Sequence, residues 1–357
     1  MKQRISLVVL AFVGLFLLFY WMEDHPENIS ETNYWKEDWK SIRYIPPKSD
    51  WCGALEPKFA EEEMVFRKFS RGWNQTPLYT VTSTKNGNTT SYEANYNVKN
   101  SFSELSVLKT KLIEKGTEEI QKSYCLGMSS PSLGLSEENG TTIEFSKDKQ
   151  LFFGKKIGSD EGRISVLVKD EVIAPYNYLI EKFRTPVTSF REKMYVTFNN
   201  GYLKELSFSG QVISVKVENR AKKNQYNVYV NDWSRTTGER IVLAPDVGNQ
   251  WESVTKGLKV EFYSDEVGAP QFPEVSLSQN PEAVLDVVQS EGIKYRLSFY
   301  PLWESDSGKW RPVRRELLPY FSETITWIKE ESFQNLVNAV MKVKNASRYE
   351  RPNQKIQ

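Results

Sequence analysis

The sequence predicts an α+β protein in which an N-terminal transmembrane helix precedes two α+β units rich in antiparallel strands. Three observations predict this fold class. They are a long uncharged apolar run near the N-terminus, an alternation of apolar and polar residues between positions 202 and 231, and a similar order of elements in the two halves of the chain. Alternation of period two is typical of antiparallel strands with one exposed face.

The apolar run Ile5–Met22 reads ISLVVLAFVGLFLLFYWM and contains no charged side chain. A helix of roughly 18 residues is about 27 Å long, close to the thickness of a hydrocarbon core. Lys2 and Arg4 precede the run and acidic residues follow it, so the positive-inside bias predicts a cytoplasmic N-terminus and an extracytoplasmic, periplasmic body. We expect a single-pass signal anchor over residues 1–22. Its lipid contacts are predicted at Ile5, Leu10, Phe16, Leu18, Tyr20 and Trp21.

A cleaved signal peptide is the alternative interpretation of this run. The apolar region of a signal peptide is usually about 7–15 residues long and ends at an A-x-A-like cleavage site. Here the run is longer and ends in Phe-Tyr-Trp-Met, and residues 23–31 contain no such site. These features favour an uncleaved anchor in the cell membrane.

The composition limits the chemistry of the body. The chain has 47 Lys and Arg against 46 Asp and Glu, and this balance argues against nucleic acid or a strongly anionic surface as the main partner. The one histidine, His25, lies just beyond the predicted anchor, which argues against a Ser-His-Asp triad or a His-rich metal site in the folded body. We therefore expect no cofactor, no metal and no enzymatic activity.

The aromatic residues and the cysteines each leave two interpretations open. Aromatic residues make up 13% of the chain, with ten Trp, which is typical either of a β-rich core or of exposed rings that bind a sugar polymer or a protein. Cys52 and Cys125 form a candidate disulfide in an oxidising compartment and would stay unpaired in a reducing one.

Local patterns divide the body into segments. We predict a polar stalk over residues 23–50, a first α+β domain over 51–200, a second over 201–345, and a flexible tail over 346–357. Strand hairpins are predicted at Pro77–Ser83 with Thr90–Tyr96, joined through Asn86-Gly87, and at Arg163–Val168 with Glu171–Ala174. A further strand is predicted at Thr141–Phe145. Helical spacing of apolar residues predicts helices over Ser101–Lys122, Gln250–Phe262, Glu316–Ile328 and Ser332–Val343.

The two halves of the body show a similar order of elements. In each half a helix precedes a strand hairpin, and a charged segment then leads into an aromatic helix. This order predicts two copies of one α+β unit. The alternative is that helices and hairpins alternate in this way in many unrelated α+β chains.

The first half contains an ordered set of local motifs. Leu126-Gly127-Met128 precedes Pro131, Phe152-Phe153 precedes Gly154, a glycine precedes the strand at 163–168, and Phe190-Arg191-Glu192-Lys193 follows a helix. Over residues 75–235, this series resembles a family of bacterial membrane-anchored proteins of unknown function, whose genes commonly neighbour those of gliding-motility-type ABC transporter components. The resemblance implies an N-terminal anchor and an accessory role beside an ABC-type complex. The family-like residues are Gly127, Pro131, Gly154, Arg191 and Lys193.

Three groups of residues suggest chemistry, and each has a plainer interpretation. Arg191 within Arg191-Glu192-Lys193 is suited to bind a carboxylate or phosphate, although charges at a helix end are usually structural or solvated. Glycines 154, 158 and 162 lack the helix start that a phosphate loop requires, so they predict turns. The run 61–63 holds three glutamates, but a glycosidase needs two carboxyl groups facing each other across a cleft.

We expect a non-catalytic accessory or partner-binding component of an ABC-type transport or motility complex, held at the membrane by the anchor. One alternative is an extracytoplasmic module that binds polysaccharide through exposed aromatic rings. The other is a hydrolase that uses paired carboxylates.

Overall fold

The computed structural model describes residues 32–47, 60–69, 77–85, 87–136, 149–157, 162–198, 203–263, 266, 269–270, 280–290, 292–318 and 321–350. The predicted anchor residues, Cys52 and the strand predicted at Thr141–Phe145 lie outside these residues. Within the described part of the chain, no helix combines the length and apolar character needed to cross a membrane.

The described residues are mostly β, with 48% of them in strands and 23% in helices. The strands are β1 (Thr32–Lys36), β2 (Ser41–Ile45), β3 (Glu63–Phe69), β4 (Leu78–Lys85), β5 (Asn88–Glu93), β6 (Val107–Lys115), β7 (Ser132–Ser136), β8 (Gln150–Ile157), β9 (Arg163–Val168), β10 (Glu171–Pro175), β11 (Leu203–Gly210), β12 (Ser214–Asn219), β13 (Lys222–Lys223), β14 (Tyr229–Val230), β15 (Trp233–Arg235), β16 (Ile241–Val242), β17 (Phe262–Tyr263), β18 (Ala283–Gln289), β19 (Lys294–Phe299), β20 (Trp303–Ser305), β21 (Gly308–Leu318) and β22 (Phe321–Lys329). The α-helices are α1 (Tyr96–Ser106), α2 (Glu118–Ser123), α3 (Tyr178–Glu181), α4 (Pro245–Gly257) and α5 (Glu330–Asn345). Short 3₁₀ turns follow α3 at Lys182–Arg184 and Val187–Phe190.

The chain forms two compact units that are discontinuous in sequence. Unit 1 contains the described residues of 1–60 and 100–184, and unit 2 contains those of 61–99 and 185–357. This division differs from the contiguous spans 51–200 and 201–345 expected from the sequence. The difference arises because β3, β4 and β5 belong to unit 2 although they precede most of unit 1 along the chain.

In unit 1, seven strands lie side by side in the order β1-β6-β10-β9-β8-β7-β2. The pairs between them are antiparallel. All six residues of β9 are buried, as expected for a strand in the middle of a covered sheet. Leu126, Leu167 and Val172 form an apolar cluster. The partly buried residues packed against it are Ile113, Ile120, Tyr124 and Phe152.

In unit 2, nine strands follow the order β16-β15-β12-β11-β18-β19-β21-β22-β17, and β20 pairs with β21. The alternating burial of β18, in which every second residue is buried, is the period-two pattern of a sheet with one buried face. The strands β3, β4 and β5 form an antiparallel meander. The short strands β13 and β14 form a two-stranded hairpin that is outside the main sheet.

Both units contain the same order of six strands. In unit 1 this order is β2-β7-β8-β9-β10-β6, and in unit 2 it is β11-β18-β19-β21-β22-β17. In each unit four of these strands form a meander, which is β7-β8-β9-β10 in unit 1 and β18-β19-β21-β22 in unit 2. The strand that follows a helix pairs with the last strand of that meander. This strand is β6 after α1 and β17 after α4. A three-strand meander also precedes that helix in the sequence in both cases, as β3-β4-β5 before α1 and as β12-β15-β16 before α4.

Several predicted hairpins are confirmed. Strands β4 and β5 pair in a register that places Lys85 opposite Asn88, and Gly87 between them has φ +79°, which glycine adopts without strain. Strands β9 and β10 form the second predicted hairpin. The alternating region after position 202 forms β11 and β12, which pair as expected. The helix predicted over Ser332–Val343 is the larger part of α5.

Two predicted helices are wrong, one over the middle of its length and the other at every described position. Residues 107–115, predicted as the middle of a helix, form strand β6, in which Leu108 and Thr110 are buried on one face. The apolar residues keep helical spacing across the end of α1 at Ser106 and into β6, so the sequence alone predicted one continuous helix. Residues 316–318 form the end of β21, and residues 321–328 form most of β22, where the β-branched run Thr324-Ile325-Thr326 favours a strand. The predicted helix Gln250–Phe262 begins earlier, at Pro245, and ends at Gly257.

Parts of the predicted stalk and tail also belong to folded units. Strands β1 and β2 lie within the predicted stalk, and Trp39, Ile42 and Tyr44 are buried there, so the described residues 32–47 are part of unit 1. After α5, the amide of Tyr349 donates a hydrogen bond of 2.9 Å to the carbonyl oxygen of Val242. The described part of the predicted tail is therefore bonded to unit 2.

Candidate functional site

Helix α4 forms one wall of an open cleft in unit 2. Pro245 occupies its first turn, where its fixed φ fits the helix and its missing N–H is not needed. Asp246 near the start and Lys256 in the last turn complement the helix dipole. A Cβ atom at Gly248 would lie 2.3 Å from Cγ of Trp233. Because glycine occupies this position, α4 packs directly onto the indole ring of β15.

Helix α5 forms the opposite wall. Its apolar face, with Phe333, Leu336 and Val340, is buried. The start of the helix is fixed by Arg311 on β21, which is 5% exposed. The guanidinium donates from Nε and Nη2 to the two carboxylate oxygens of Glu330, at 2.7 and 3.0 Å, and from Nη1 to the carbonyl oxygen of Tyr300 at 2.8 Å. Such two-bond arginine–carboxylate pairs are geometrically specific.

The cleft between α4 and α5 has a volume of about 1080 Å³. Residues that recur every three or four positions on each helix line it, so one stripe of each helix faces the other. The lining residues are Asp246, Val247, Gln250, Val254, Gly257, Leu258, Ser332, Asn335, Asn338, Met341, Lys342, Asn345 and Ala346. Lys342 Nζ donates to Gln250 Oε1 at 3.1 Å, which joins the two walls.

The lining defines what the cleft can do chemically. Gln250, Asn335, Asn338 and Asn345 each offer both a donor and an acceptor. Three of these amides belong to α5, whereas the large apolar residues Val247, Val254 and Leu258 lie on the α4 side. One acid, Asp246, and one base, Lys342, line the cleft, so the lining is close to electrically neutral. The lining contains no aromatic ring and no pair of carboxyl groups. This surface is suited to bind a mixed polar and apolar segment.

A buried polar cluster lies beneath α4. Glu252 is 7% exposed, and its carboxylate accepts a hydrogen bond from Asn231 Nδ2. Asn249 Oδ1 accepts from the same amide at 3.0 Å and from Trp233 Nε1 at 3.2 Å. Burial raises the pKa of Glu252 above its ordinary value of 4.5, whereas the bond from Asn231 and the charge of Lys256 act in the opposite direction. The cluster anchors α4 to the strands below it.

A second buried network in unit 2 centres on Glu93 at the end of β5. Arg315, which is fully buried, lies 3.5 Å from the Glu93 carboxylate. Thr197 donates to that carboxylate at 3.1 Å and Tyr295 at 3.2 Å. Burial and the neighbouring negative charge raise the pKa of Tyr295. Arg315 Nη1 also donates to the carbonyl oxygen of Met194 at 2.6 Å. These groups are enclosed in the unit and have a structural role.

The structure separates the charged side chains of Arg191-Glu192-Lys193. The guanidinium of Arg191 is 3.9 Å from the ring centre of Tyr92 and 4.7 Å from that of Tyr263, and the residue is 2% exposed. Lys193 is half exposed and lies 3.4 Å from Glu266. Arg191 therefore packs between two tyrosine rings inside unit 2 and presents no exposed fork to an anion.

The family-like residues of unit 1 meet in one loop–strand contact. The carbonyl oxygen of Pro131 accepts from the amide of Phe153 at 2.9 Å, and Gly127 has φ +126°. A Cβ atom at Gly154 would lie 2.2 Å from the carbonyl oxygen of Tyr124. The predicted turn at Gly154 is therefore wrong, because this glycine lies inside β8 and allows the loop to approach the strand. Arg191 and Lys193 belong to unit 2 and are not part of this contact.

Cys125 lies in the same loop, has φ +57° and is disulfide-bonded. Cys52 is the other cysteine in the sequence and lies outside the described residues, so its pairing with Cys125 stays a prediction. No group of three or more His, Cys, Asp or Glu side chains arranged to hold a metal occurs among the described residues.

Sequence reasoning missed the cleft and both buried networks. The helical stripes of α4 and α5 were the available signal for the cleft, since Ser332–Val343 was predicted helical and carries exposed Asn residues at regular spacing. The partners Glu93 and Tyr295 lie 202 positions apart, and no local pattern links them. Comparison of the chain with protein family models, curated proteins and solved structures found no match.

Proposed function

We propose that this chain is a membrane-anchored, non-enzymatic protein that binds a segment of a protein partner in the cleft between α4 and α5. The single observation that carries the proposal is the lining of this cleft, where three amide side chains of α5 lie opposite the apolar side chains of Val247, Val254 and Leu258 on the α4 side. The amides match the donors and acceptors of a polypeptide backbone. The apolar residues supply burial, as in other grooves that bind helical or extended segments.

The charge and size of the cleft narrow the class of partner. A volume of about 1080 Å³ is at the upper end of typical small-molecule sites, and the cleft is open along the helices. Because Asp246 and Lys342 balance each other in charge, the best-matched partner segment is uncharged and amphipathic. A strongly acidic or basic segment would gain little from this surface.

The predicted anchor supplies the cellular setting of the proposal. Residues 5–22 are expected to hold the body on the extracytoplasmic side, and the disulfide at Cys125 supports an oxidising compartment. The resemblance over residues 75–235 suggests that the partner is a subunit of an ABC-type transport or motility complex. Anchoring both proteins in one membrane raises their effective concentration, so a modest intrinsic affinity is sufficient.

The proposal extends to the origin of the fold. The shared six-strand order, with a three-strand meander before the helix in both copies, supports two copies of one α+β unit. On this interpretation the second copy acquired the binding surface, since α5 has 16 residues whereas α3, at the corresponding point after the first meander, has 4.

The alternatives receive less support from the described residues. Polysaccharide binding requires exposed rings that line a groove. Trp39, Trp233, Trp251 and Trp327 are buried to 1% exposure or less, and the exposed tyrosines of the described residues lie outside the cleft. A carboxylate-dependent hydrolase requires two converging acids, and the cleft has one.

Site-specific photo-crosslinking in native membranes tests the proposal. A photoreactive amino acid replaces Asn335 in the full chain, and the control carries it at Val212, a residue that is 85% exposed on another part of unit 2. We expect position 335 to capture a membrane-complex subunit and position 212 to capture none. Capture of a partner unrelated to ABC transporters would reject the setting and keep the binding function.

A matched pair of variants tests the same surface by affinity. Asn338→Arg places a long cation in the cleft and should reduce co-purification of the partner by about tenfold, equal to about 1.4 kcal/mol. Val212→Arg is the control and should leave co-purification unchanged. Equal recovery with both variants, in protein of unchanged stability, would reject the cleft as the binding site.

A further inference from the structure

The hairpin of β13 and β14 carries the densest exposed apolar patch among the described residues. Every side chain from Lys222 to Val230 is exposed. Ten large hydrophobic residues of the described chain are exposed, and four of them lie within positions 226–230. They are Tyr226, Val228, Tyr229 and Val230, with exposures of 75, 57, 40 and 53%. Single exposed apolar residues are normal, but a cluster of this kind indicates an interaction surface.

The tip of the hairpin is held in a defined shape. Asn224 Oδ1 accepts hydrogen bonds from the amides of Tyr226 and Val228, at 2.9 and 3.0 Å. The amide of Asn224 also donates to the carbonyl oxygen of Val228 at 2.9 Å. Asn227 adopts φ +60°, a conformation that Asn tolerates better than most residues. The apolar side chains are therefore displayed on an ordered turn.

The base of the hairpin is fixed to the body of unit 2. Asn219 Nδ2 donates to Asn231 Oδ1 at 2.8 Å, and the amide of Asp232 donates to Asn219 Oδ1 at 2.9 Å. Asn231 in turn donates to the buried Glu252 beneath α4. These bonds fix the hairpin to unit 2, and the apolar side chains at its tip are exposed to water.

The charge around the tip identifies the kind of surface that it fits. Arg220, Lys222 and Lys223 flank the apolar residues, and residues 220–231 contain no acid. The ammonium of Lys223 lies 5.3 Å from the ring centre of Tyr229. Tyrosine rings beside basic side chains are typical of segments at the interface of an anionic bilayer, where the ring enters the headgroup layer and the cation stays at its surface. Residues 220–231 therefore carry a local excess of positive charge, although the whole chain is close to neutral.

We propose that the β13–β14 hairpin contacts the surface of an anionic phospholipid membrane, with Tyr226, Val228 and Val230 in the headgroup layer and Lys222 and Lys223 beside the phosphates. This inference rests on the proposed membrane anchor, because the anchor would keep the body near the bilayer. It adds a second contact between the chain and the lipid. A long-lived association with a bilayer generally needs two such signals when each is weak.

The test uses the full chain in phosphatidylcholine vesicles, with and without phosphatidylglycerol, that contain lipids with a quencher in the acyl chain. An environment-sensitive fluorescent amino acid replaces Val228, and the control chain carries it at Val212. We expect a blue shift and lipid-dependent quenching at position 228 in the anionic vesicles, and neither at position 212. The double variant Lys222→Gln, Lys223→Gln should lower the equilibrium constant for hairpin contact by roughly 30-fold.

Three outcomes would overturn the inference. They are equal quenching at positions 228 and 212, quenching at 228 that is insensitive to the two lysine substitutions, and a blue shift at 228 that lipid quenchers do not affect. The last would assign the tip to another copy of the chain or to a different protein. Flotation of the unlabelled chain with phosphatidylcholine vesicles reports the anchor separately, so failure of the anchor and failure of the hairpin contact are distinguishable.

Discussion

Units 1 and 2 share an order of six strands but differ in what is built upon it. In unit 1, the loop at 124–131 packs onto the meander at Gly154. In unit 2, helix α4 packs onto Trp233 at Gly248, and the long α5 faces it across the cleft. The comparison indicates that the strand order provides a common support, whereas the candidate binding surface depends on α5, which has 16 residues where α3 of unit 1 has 4.

The largest expected effect is a loss of stability that is confined to unit 2. Arg315→Leu removes the cation that faces Glu93 in a fully buried site and should lower the free energy of unfolding of unit 2 by about 3–5 kcal/mol. Hydrogen exchange followed by mass spectrometry measures the effect segment by segment. We expect faster exchange in β4 and β5 together with β18–β22, and little change in β7–β10.

This exchange pattern also distinguishes the discontinuous units from the contiguous spans 51–200 and 201–345. If β4 and β5 remained protected along with β7–β10, residues 61–99 would belong with the first half of the chain. Arg348→Gln is the matched control, since its partner Glu239 and Arg348 itself are both largely exposed. Loss of such a surface pair should cost less than about 1 kcal/mol.

The two tight glycine contacts give the next largest effect. Gly154→Ala forces a methyl group against the backbone of unit 1, and Gly248→Ala forces one against the Trp233 ring of unit 2. We expect each substitution to destabilise its own unit by about 1–3 kcal/mol, measured by urea unfolding of the full chain. Gly257→Ala is the control, since no atom lies within 4 Å of the added Cβ.

Glycine 257 ends α4 without a positive φ, so alanine should stabilise that helix by about 0.5–1 kcal/mol. A destabilisation by Gly257→Ala equal to that by Gly248→Ala would show that α4 tolerates no substitution. Close packing of Gly248 against Trp233 would then not be the cause of the effect of Gly248→Ala.

The smallest expected effect is a dependence on pH that is specific to unit 2. Burial raises the pKa of Glu252 in the folded chain above 4.5, so the folded state holds its proton to a higher pH than the unfolded state does. The resulting contribution to stability is complete below about pH 4.5 and is lost as the pH rises through the folded pKa. Glu252→Gln should remove this loss and, above that pKa, stabilise the protein relative to the native chain.

Unfolding curves of both proteins at a series of pH values measure this difference. Glutamine keeps an oxygen that accepts the bond from Asn231, so the cluster beneath α4 should persist. Glu239→Gln, at an exposed position, should leave the pH dependence unchanged. A constant offset between the native chain and Glu252→Gln at every pH would contradict the assigned cause.

Local patterns were sufficient for elements whose partners are neighbours in sequence. The Asn-Gly turn between β4 and β5 and the alternation in β11 and β12 specify hairpins directly. The segment Val107–Lys115 shows where such reasoning fails. Its leucines fit helical spacing, but pairing of this segment with β1 and β10 makes it a strand, and neither partner is close in sequence. Tertiary pairing outweighs a weak local preference in such cases.

The candidate site was less predictable than the fold for a related reason. The cleft requires two helices separated by more than seventy residues to face each other, and the sequence does not specify that arrangement. Arg191 illustrates the converse case. Its charge suggested a ligand site, yet its guanidinium lies between Tyr92 and Tyr263, which are distant from it in sequence. A charged residue can be singled out from sequence, but its environment cannot.

The short segment after α5 protects the border of the second sheet. Strand β16 is the outermost strand there, and its Val242 carbonyl is occupied by the amide of Tyr349. Arg235 of the adjacent strand also donates to the carbonyl oxygen of Val343 at 3.2 Å. An uncovered outer strand is a template for addition of a strand from another molecule. Cutting the chain after Asn345 should therefore free the Val242 carbonyl oxygen and leave β16 open to pairing with a strand of another molecule.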